Sequence, residues 1–325
     1  MRVLVTGAAG YIGSIAVERL LNAGHEVLAI DDLSRGHRAA VHSEASFVQC
    51  DLRDTSSVTR VVSGSEAEAI LHFAALTLVG ESVDQPAEYF QSNVIGGLNL
   101  LEAVRRSSVS RFVFSSTAAV YGDPTRVPLR EDDPKDPINP YGRTKLSMEW
   151  ALASFADRYD LRYAALRYFN VAGATAERGE DHRPETHLIP AILLTLLGKR
   201  DGFVVNGTDF PTPDGTAVRD YVHVVDLVDA HITALERLDR TLGAINLGTM
   251  DGFSVQQVID SAELTTGKKL KVTHGPRRAG DSAALVAETD RARALLDWNP
   301  SRSNLADMIG SAWEWMQHHP NGYPD

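Results

Sequence analysis

An apolar strand that runs into a glycine loop and straight on into a helix constrains this chain more than any other feature. Val3–Val5 leads into Thr6-Gly7-Ala8-Ala9-Gly10-Tyr11-Ile12-Gly13, a G-x-x-G-x-x-G loop, and a helical pattern follows over Ile12–Ala23. Glycines there let the backbone turn tightly, approach a pyrophosphate closely and pack helix on strand, while the free N–H groups of the helix start attract phosphate charge. Asp31 closes the second apolar run, 18 residues past Gly13. A carboxylate at that place accepts hydrogen bonds from an adenine-ribose hydroxyl and favours NAD over NADP. Arg35 and Arg38 follow closely and keep a 2′-phosphate open, and Asp51 reads either as a further adenine-side contact or as an ordinary turn acid.

Apolar β-rich runs recur at Val27–Ile30, Phe47–Gln49, Ala69–Phe73, Phe112–Phe114 and Tyr163–Leu166, with helical patterns between them, clearest over Pro86–Arg106 and Tyr141–Tyr159. The runs are continuous rather than alternating, as in parallel strands buried on both faces. Strand and helix in alternation predict an α/β fold with a doubly wound parallel sheet. Beyond Gly173 the pattern loosens, with polar stretches at Ala174–Pro184 and Asn206–Gly215. The expected organisation is a dinucleotide-binding domain over 1–173 and a smaller C-terminal lobe over 174–325, interwoven rather than joined by a linker.

Tyr141 and Lys145 stand four apart in NPYGRTK at the start of a helix, so they share a face. A free tyrosine, with a pKa near 10, is too weakly acidic to serve as a base at neutral pH, and a neighbouring ammonium favours the phenolate. That makes Tyr141 a candidate general base for a hydroxyl substrate. A Y-x-x-x-K match recurs by chance, but here Ser115-Ser116-Thr117 precedes it at the end of a strand. Hydroxyls at the carboxyl end of a parallel strand sit where open α/β sheets bind ligands.

TGAAGYIG, HFAAL, SSTAAVYG, NPYGRTK and RYFNVAGA occur in the order of the extended short-chain dehydrogenase/reductase family, which the chain resembles from Met1 to about Trp298. Within that family the resemblance is to the sugar-nucleotide 4-epimerases, and GTAVRDYVHVVDL (Gly215–Leu227) and RRAGD (Arg277–Asp281) are similar to their substrate-lobe signatures. The resemblance implies NAD-dependent inversion at C4 of a UDP-hexose through a transient 4-keto sugar. It implies Thr117, Tyr141 and Lys145 as catalytic residues. For the cofactor it implies Gly7, Gly10, Tyr11, Ile12, Gly13, Asp31, Asp32, Asp51, Leu52, Phe73, Ala74, Ala75, Ser115, Tyr141, Lys145 and Tyr168. For the UDP-sugar it implies Asn170 at the phosphates, His187 and Leu188 at the nucleotide and Val204 and Asn206 near the uracil. Arg219 and Arg278 are implied as diphosphate clamps and Asp281 as the acid on the uridine ribose. A homodimer through a four-helix contact is implied as well.

The chain departs from the family's pattern at Thr77, where some relatives have lysine, and at Ser92, where asparagine is frequent; Asn93 follows it. Leu285 holds a position whose size goes with admitting or excluding N-acetylated sugars, so N-acetylhexosamine, uronate and pentose substrates stay open. Ala118 and Ala119 stand where the 4,6-dehydratases carry an Asp-Glu pair, and Ala118 argues equally against a decarboxylating relative. A silent NAD-sensing protein is the non-enzymatic alternative.

Composition excludes other classes. A net charge of −11 without a Lys/Arg stripe argues against a nucleic-acid partner. One cysteine, Cys50, builds neither a disulfide nor a Cys-rich metal site. With no signal peptide and no apolar run of membrane length, a cytoplasmic chain is expected. His223 and His231, eight apart, suggest no metal site. His318-His319 reads as a solvated tail, and Trp313 and Trp315 as packing for the last helix.

Overall fold

The six apolar runs pair side by side as parallel strands, β1 (Arg2–Thr6), β2 (Glu26–Asp31), β3 (Ser46–Gln49), β4 (Ala69–His72), β5 (Arg111–Thr117) and β6 (Arg162–Tyr168), and a seventh that lies outside the runs marked in the sequence, β7 (Gly243–Leu247), joins them. Their order is β7-β6-β5-β4-β1-β2-β3 in this computed structural model, which describes residues 1–278 and 281–324. The strand order reverses between β1 and β4. In open α/β sheets ligands bind at such a switch point, outside the carboxyl ends of the strands.

Strand residues divide their side chains between two cores. Val3, Val5, Leu71 and Val113 face a core shared with helices Tyr11–Asn22 and Val224–Glu236. Leu4, Ile70, Phe112 and Phe114 face the opposite one, with helices Thr55–Gly64, Gly96–Arg105 and Pro140–Arg158. Both faces are covered, which is why the strands carry no polar alternation. A third core joins helices Leu188–Leu196, Val255–Thr266 and Leu305–His318 through Ile192, Val258, Ile309 and Trp315.

Two details differ from the sequence-based expectation. The pattern Pro86–Arg106 is a broken element, Pro86–Tyr89, a π-helical turn Phe90–Ile95 and then Gly96–Arg105. At the wide turn Asn93 points inward, where its amide donates to the Leu76 carbonyl and the Thr144 hydroxyl, both at 3.0 Å, and its Oδ1 accepts from Leu76 N. Ser115-Ser116-Thr117 end strand β5, as read from the sequence, and Thr117 pairs with Tyr168 of β6. His319 stacks on Trp315, with ring centres 4.7 Å apart, so it belongs to the last helix's packing and not to a solvated tail. Residues beyond 173 also return to the large sheet, as strand β7 and helix Val224–Glu236.

Candidate active site

One cavity of about 1520 Å³ opens at the carboxyl ends of the strands and runs from the glycine loop into the C-terminal lobe. Every residue that the family resemblance implies for cofactor, substrate or catalysis lines it, whereas Arg38 and Ser116 do not. At the switch point lie Gly7, Gly10, Tyr11, Ile12 and Gly13 after β1, and Phe73, Ala74 and Ala75 after β4. Asp31 and Asp32 end β2, and Asp51 and Leu52 follow β3.

The glycines answer to hard contacts. Gly7 has φ +71°, and a Cβ there would lie 2.5 Å from Ala74 N; on Gly13 it would lie 2.0 Å from the Gly7 carbonyl oxygen. Gly10 precedes helix Tyr11–Asn22 without a capping side chain, which leaves first-turn N–H groups open to an anion. Asp31 also ties the loop: its Oδ2 accepts from Ala9 N at 3.0 Å and its Oδ1 from Leu33 N at 2.8 Å.

Across the cavity, Ser115 and Thr117 come from β5, Tyr168 from β6, and Tyr141 and Lys145 from the first turns of helix Pro140–Arg158. Asn139 caps that helix by accepting from Gly142 N at 2.8 Å, and Pro140 opens it. Lys145 Nζ donates to the Ser115 carbonyl at 2.8 Å, and Ser115 Oγ hydrogen-bonds the Tyr168 hydroxyl. Tyr141 is 8% exposed and Lys145 3%.

The electrostatics run against the simple sequence argument. Burial, followed by the neighbouring Tyr168, pushes the Tyr141 phenol above its ordinary range, and the Thr117 hydrogen bond works to lower it. Burial pulls the Lys145 ammonium down to about 7, against the opposing pull of Glu149. Lys145 Nζ lies 5.9 Å from the centre of the Tyr141 ring and spends its hydrogen bond on Ser115. The protein alone therefore favours the phenol.

The substrate end is assembled from short pairings in the lobe. Asn170 (strand Asn170–Ala172) donates to the Asp220 carbonyl at 2.9 Å. Arg219 pairs in register with Leu285, while Val204 and Asn206 lie on strand Phe203–Asn206. Arg219 reaches Asp281 at 3.5 Å and Arg278 reaches it at 3.1 Å, so two guanidiniums flank one carboxylate at the wall. Of the Arg277–Asp281 motif, Ala279 and Gly280 lie outside the described residues. Leu188 opens helix Leu188–Leu196, with His187 just before it.

Two groups went unnoticed in the sequence. Glu149, one turn after Lys145, forms a buried pair with Arg167 (2.5 Å) and accepts from Ser116 Oγ. Arg167 in turn donates to the Tyr121 hydroxyl at 2.8 Å, and Tyr121 to Asn246 at 2.6 Å. The four-residue step from Lys145 was its only sequence signal. Glu180, His182, Glu185 and His187 also converge, their donor atoms all within 4.8 Å of one another. Their signal was the spacing E-x-H-x-x-E-x-H.

Residues 3–248 match the NAD dependent epimerase/dehydratase family. The chain belongs to this family. It is 47% identical to a protein of Lacticaseibacillus casei named UDP-glucose 4-epimerase, over 100% of this chain and 99% of the relative. A crystal structure described as UDP-glucose 4-epimerase from Brucella ovis in complex with NAD is 43% identical, covers 96% of this chain and 97% of its own, and has a TM-score of 0.93. A structure of the Bifidobacterium longum UDP-glucose 4-epimerase with NAD⁺ and UDP is 34% identical, covers 99% of this chain and 100% of its own, and also has a TM-score of 0.93.

The cofactor of this family member is NAD. The residues present fit it. Gly7 and Gly13 leave a cradle that any side chain would fill, and the helix start beside it is uncapped. The two basic residues that left a 2′-phosphate open are otherwise engaged: Arg35 pairs with Glu81, and Arg38 lies over the Phe47 ring at 4.4 Å. Thr77 and Ser92 also line the cavity, whereas Asn93 is buried at 3% exposure.

Proposed function

We propose that the chain inverts C4 of a UDP-hexose, interconverting UDP-galactose and UDP-glucose through a transient 4-keto sugar. The observation that carries this reading is that a Tyr-Thr-Lys cluster and two guanidiniums share one cavity with the glycine loop. Tyr141 takes the proton from the sugar 4-hydroxyl, and Thr117 holds the same oxygen by hydrogen bond. NAD, when bound, supplies a reversible hydride acceptor for C4, and its cationic ring favours the phenolate that the protein alone disfavours. Lys145 anchors the cofactor's ribose while its own charge stays beside Tyr141. Arg219 and Arg278 hold the diphosphate, Asp281 the uridine ribose, and Val204 and Asn206 the uracil, so the keto sugar can turn over without leaving. Tyr141 then returns its proton on the other face.

The division of labour follows the chain: residues 1–173 hold NAD, and 174–325 mainly hold the UDP-sugar. A homodimer fits an apolar surface formed by Phe90, Ile95, Leu98 and Trp150, the last 63% exposed. A cytoplasmic location keeps the single thiol, Cys50, reduced. Among the described residues no helix is long and apolar enough to cross a membrane.

The test is an epimerisation assay on UDP-galactose without added NAD, followed by UDP-N-acetylgalactosamine. Turnover of the first supports C4 inversion with retained NAD, and the ratio of the two rates measures what Leu285 admits. No turnover of either, with NAD supplied, overturns the hexose reading in favour of a uronate or pentose substrate.

A further inference from the structure

The segment 180–187 carries a feature the C4 chemistry does not use. It links strand Asn170–Ala172 to helix Leu188–Leu196 without regular structure of its own. Within it the Nδ1 atoms of both imidazoles point at the same two carboxylates. His182 Nδ1 is 2.9 Å from Glu180 Oε1 and 3.7 Å from Glu185 Oε2, and His187 Nδ1 is 2.8 Å from Glu180 Oε1 and 2.9 Å from Glu185 Oε1. Both carboxylates are nearly out of water, with 6% and 5% of their side chains exposed.

Two buried carboxylates this close repel each other, and beyond the His187 N–H that donates to Glu185 Oε1 at 2.7 Å it is positive charge between them that holds the cluster together. Two protonated imidazoles can supply that charge, but each must then be desolvated as a cation. A divalent ion supplies it with both imidazoles neutral, their protons released to water. Two nitrogen and two oxygen donors suit a borderline ion in a tetrahedral shell. At zinc–nitrogen and zinc–oxygen lengths the donors of such a shell stand about 3.4 Å apart. Three of the four nitrogen–oxygen separations are shorter, at 2.8, 2.9 and 2.9 Å, and the fourth, to the other oxygen of Glu185, is 3.7 Å, with all four donors within 4.8 Å of one another; an ion would spread the three close contacts by about half an ångström.

We propose that Glu180, His182, Glu185 and His187 bind a divalent ion of the zinc class at the cavity wall. Four protein ligands close its coordination sphere, so the ion is structural and activates no water. It clasps the loop that leads into helix Leu188–Leu196 and fixes His187 and Leu188 where they line the cavity. This inference goes beyond the C4 reaction and does not depend on it.

The experiment uses the untagged full-length chain, stripped by chelation, reloaded with ZnCl₂ and desalted. Metal analysis should find about one zinc per chain, Tm should rise on reloading, and cobalt(II) in place of zinc should give the visible bands of a tetrahedral site. His182→Ala, at a half-buried position, should weaken zinc binding by at least about tenfold. Zinc below about a tenth of an equivalent with an unchanged Tm would overturn the proposal and leave a purely hydrogen-bonded cluster. Undiminished uptake by a folded His182→Ala chain would overturn it too, by placing the zinc elsewhere. If the variant does not fold, a wild-type chain that takes up less than about a tenth of an equivalent, or that gives no tetrahedral cobalt bands, still overturns the proposal.

Discussion

Single side chains divide into those that react and those whose neutrality the fold depends on. The proposed mechanism makes Tyr141 the first kind: Tyr141→Phe keeps the ring and its packing but removes the proposed proton carrier. We expect kcat for UDP-galactose epimerisation to fall by about 10²–10⁴-fold, with NAD content unchanged by absorbance. Near-wild-type turnover would remove Tyr141 from the role of base. His72 is the second kind. Its imidazole, 2% exposed, is hydrogen-bonded to the Thr6 hydroxyl at 2.7 Å and lies against Phe114. Burial, helped by the Lys145 charge, holds its pKa down at about 3. The unfolded chain takes up a proton near pH 6.5 and the native one does not, so this contribution is complete above that pH and is lost as pH falls from 6.5 towards 3. Between pH 7 and pH 5 the wild type should lose roughly 2 kcal/mol more than His72→Asn in urea unfolding. Equal losses would mean that His72 is protonated in the native state. None of this was visible in HFAAL, where His72 reads as one polar letter, because the shift comes from neighbours brought up by β1 and β5.

At the scale of elements, the strand–loop–helix unit at the N-terminus was legible almost residue for residue, because its glycines answer to contacts within the unit and with the next strand end. A test separates conformation from contact. Gly7 and Gly24 both have positive φ, +71° and +80°, but a Cβ on Gly7 meets the Ala74 backbone, whereas one on Gly24 meets nothing within 4 Å. Gly7→Ala should lose bound NAD; Gly24→Ala should cost only the backbone strain, about 1–2 kcal/mol, and keep its NAD. Equal NAD content in the two purified variants would show that the cradle tolerates a side chain. The helical pattern Pro86–Arg106 was less legible. Its period persists through the π-helical turn, and only the fold shows that Asn93 leaves the surface there to bond Leu76 and Thr144.

For the whole molecule, the proposed dimer contact is tested at the exposed Trp150. If it is a two-fold contact, the wild type sediments as a dimer at micromolar concentration, and Trp150→Glu, which buries an unpaired charge in that contact, sediments as a monomer. A monomeric wild type would assign the exposed Trp150 no such partner. The cavity likewise belongs to the whole molecule. The side proposed for the cofactor comes from the ends of successive strands of the parallel sheet, while the side proposed for the substrate joins residues on two- to four-residue strands, Asn170, Arg219 and Leu285 among them.

Local chemistry was therefore determined by the sequence: the glycine loop, the acid at the end of β2, the Tyr-Lys step on one helix face and the parallel α/β class. These depend on backbone conformation and residue spacing, which a sequence carries directly. Only the tertiary structure decided which charges are buried together. The pairing of Glu149 with Arg167, the turn of Lys145 towards Ser115 rather than Tyr141, and the convergence of two imidazoles on two carboxylates all depend on desolvation. Desolvation is set by what the rest of the chain lays over a group, and no spacing along the sequence records it.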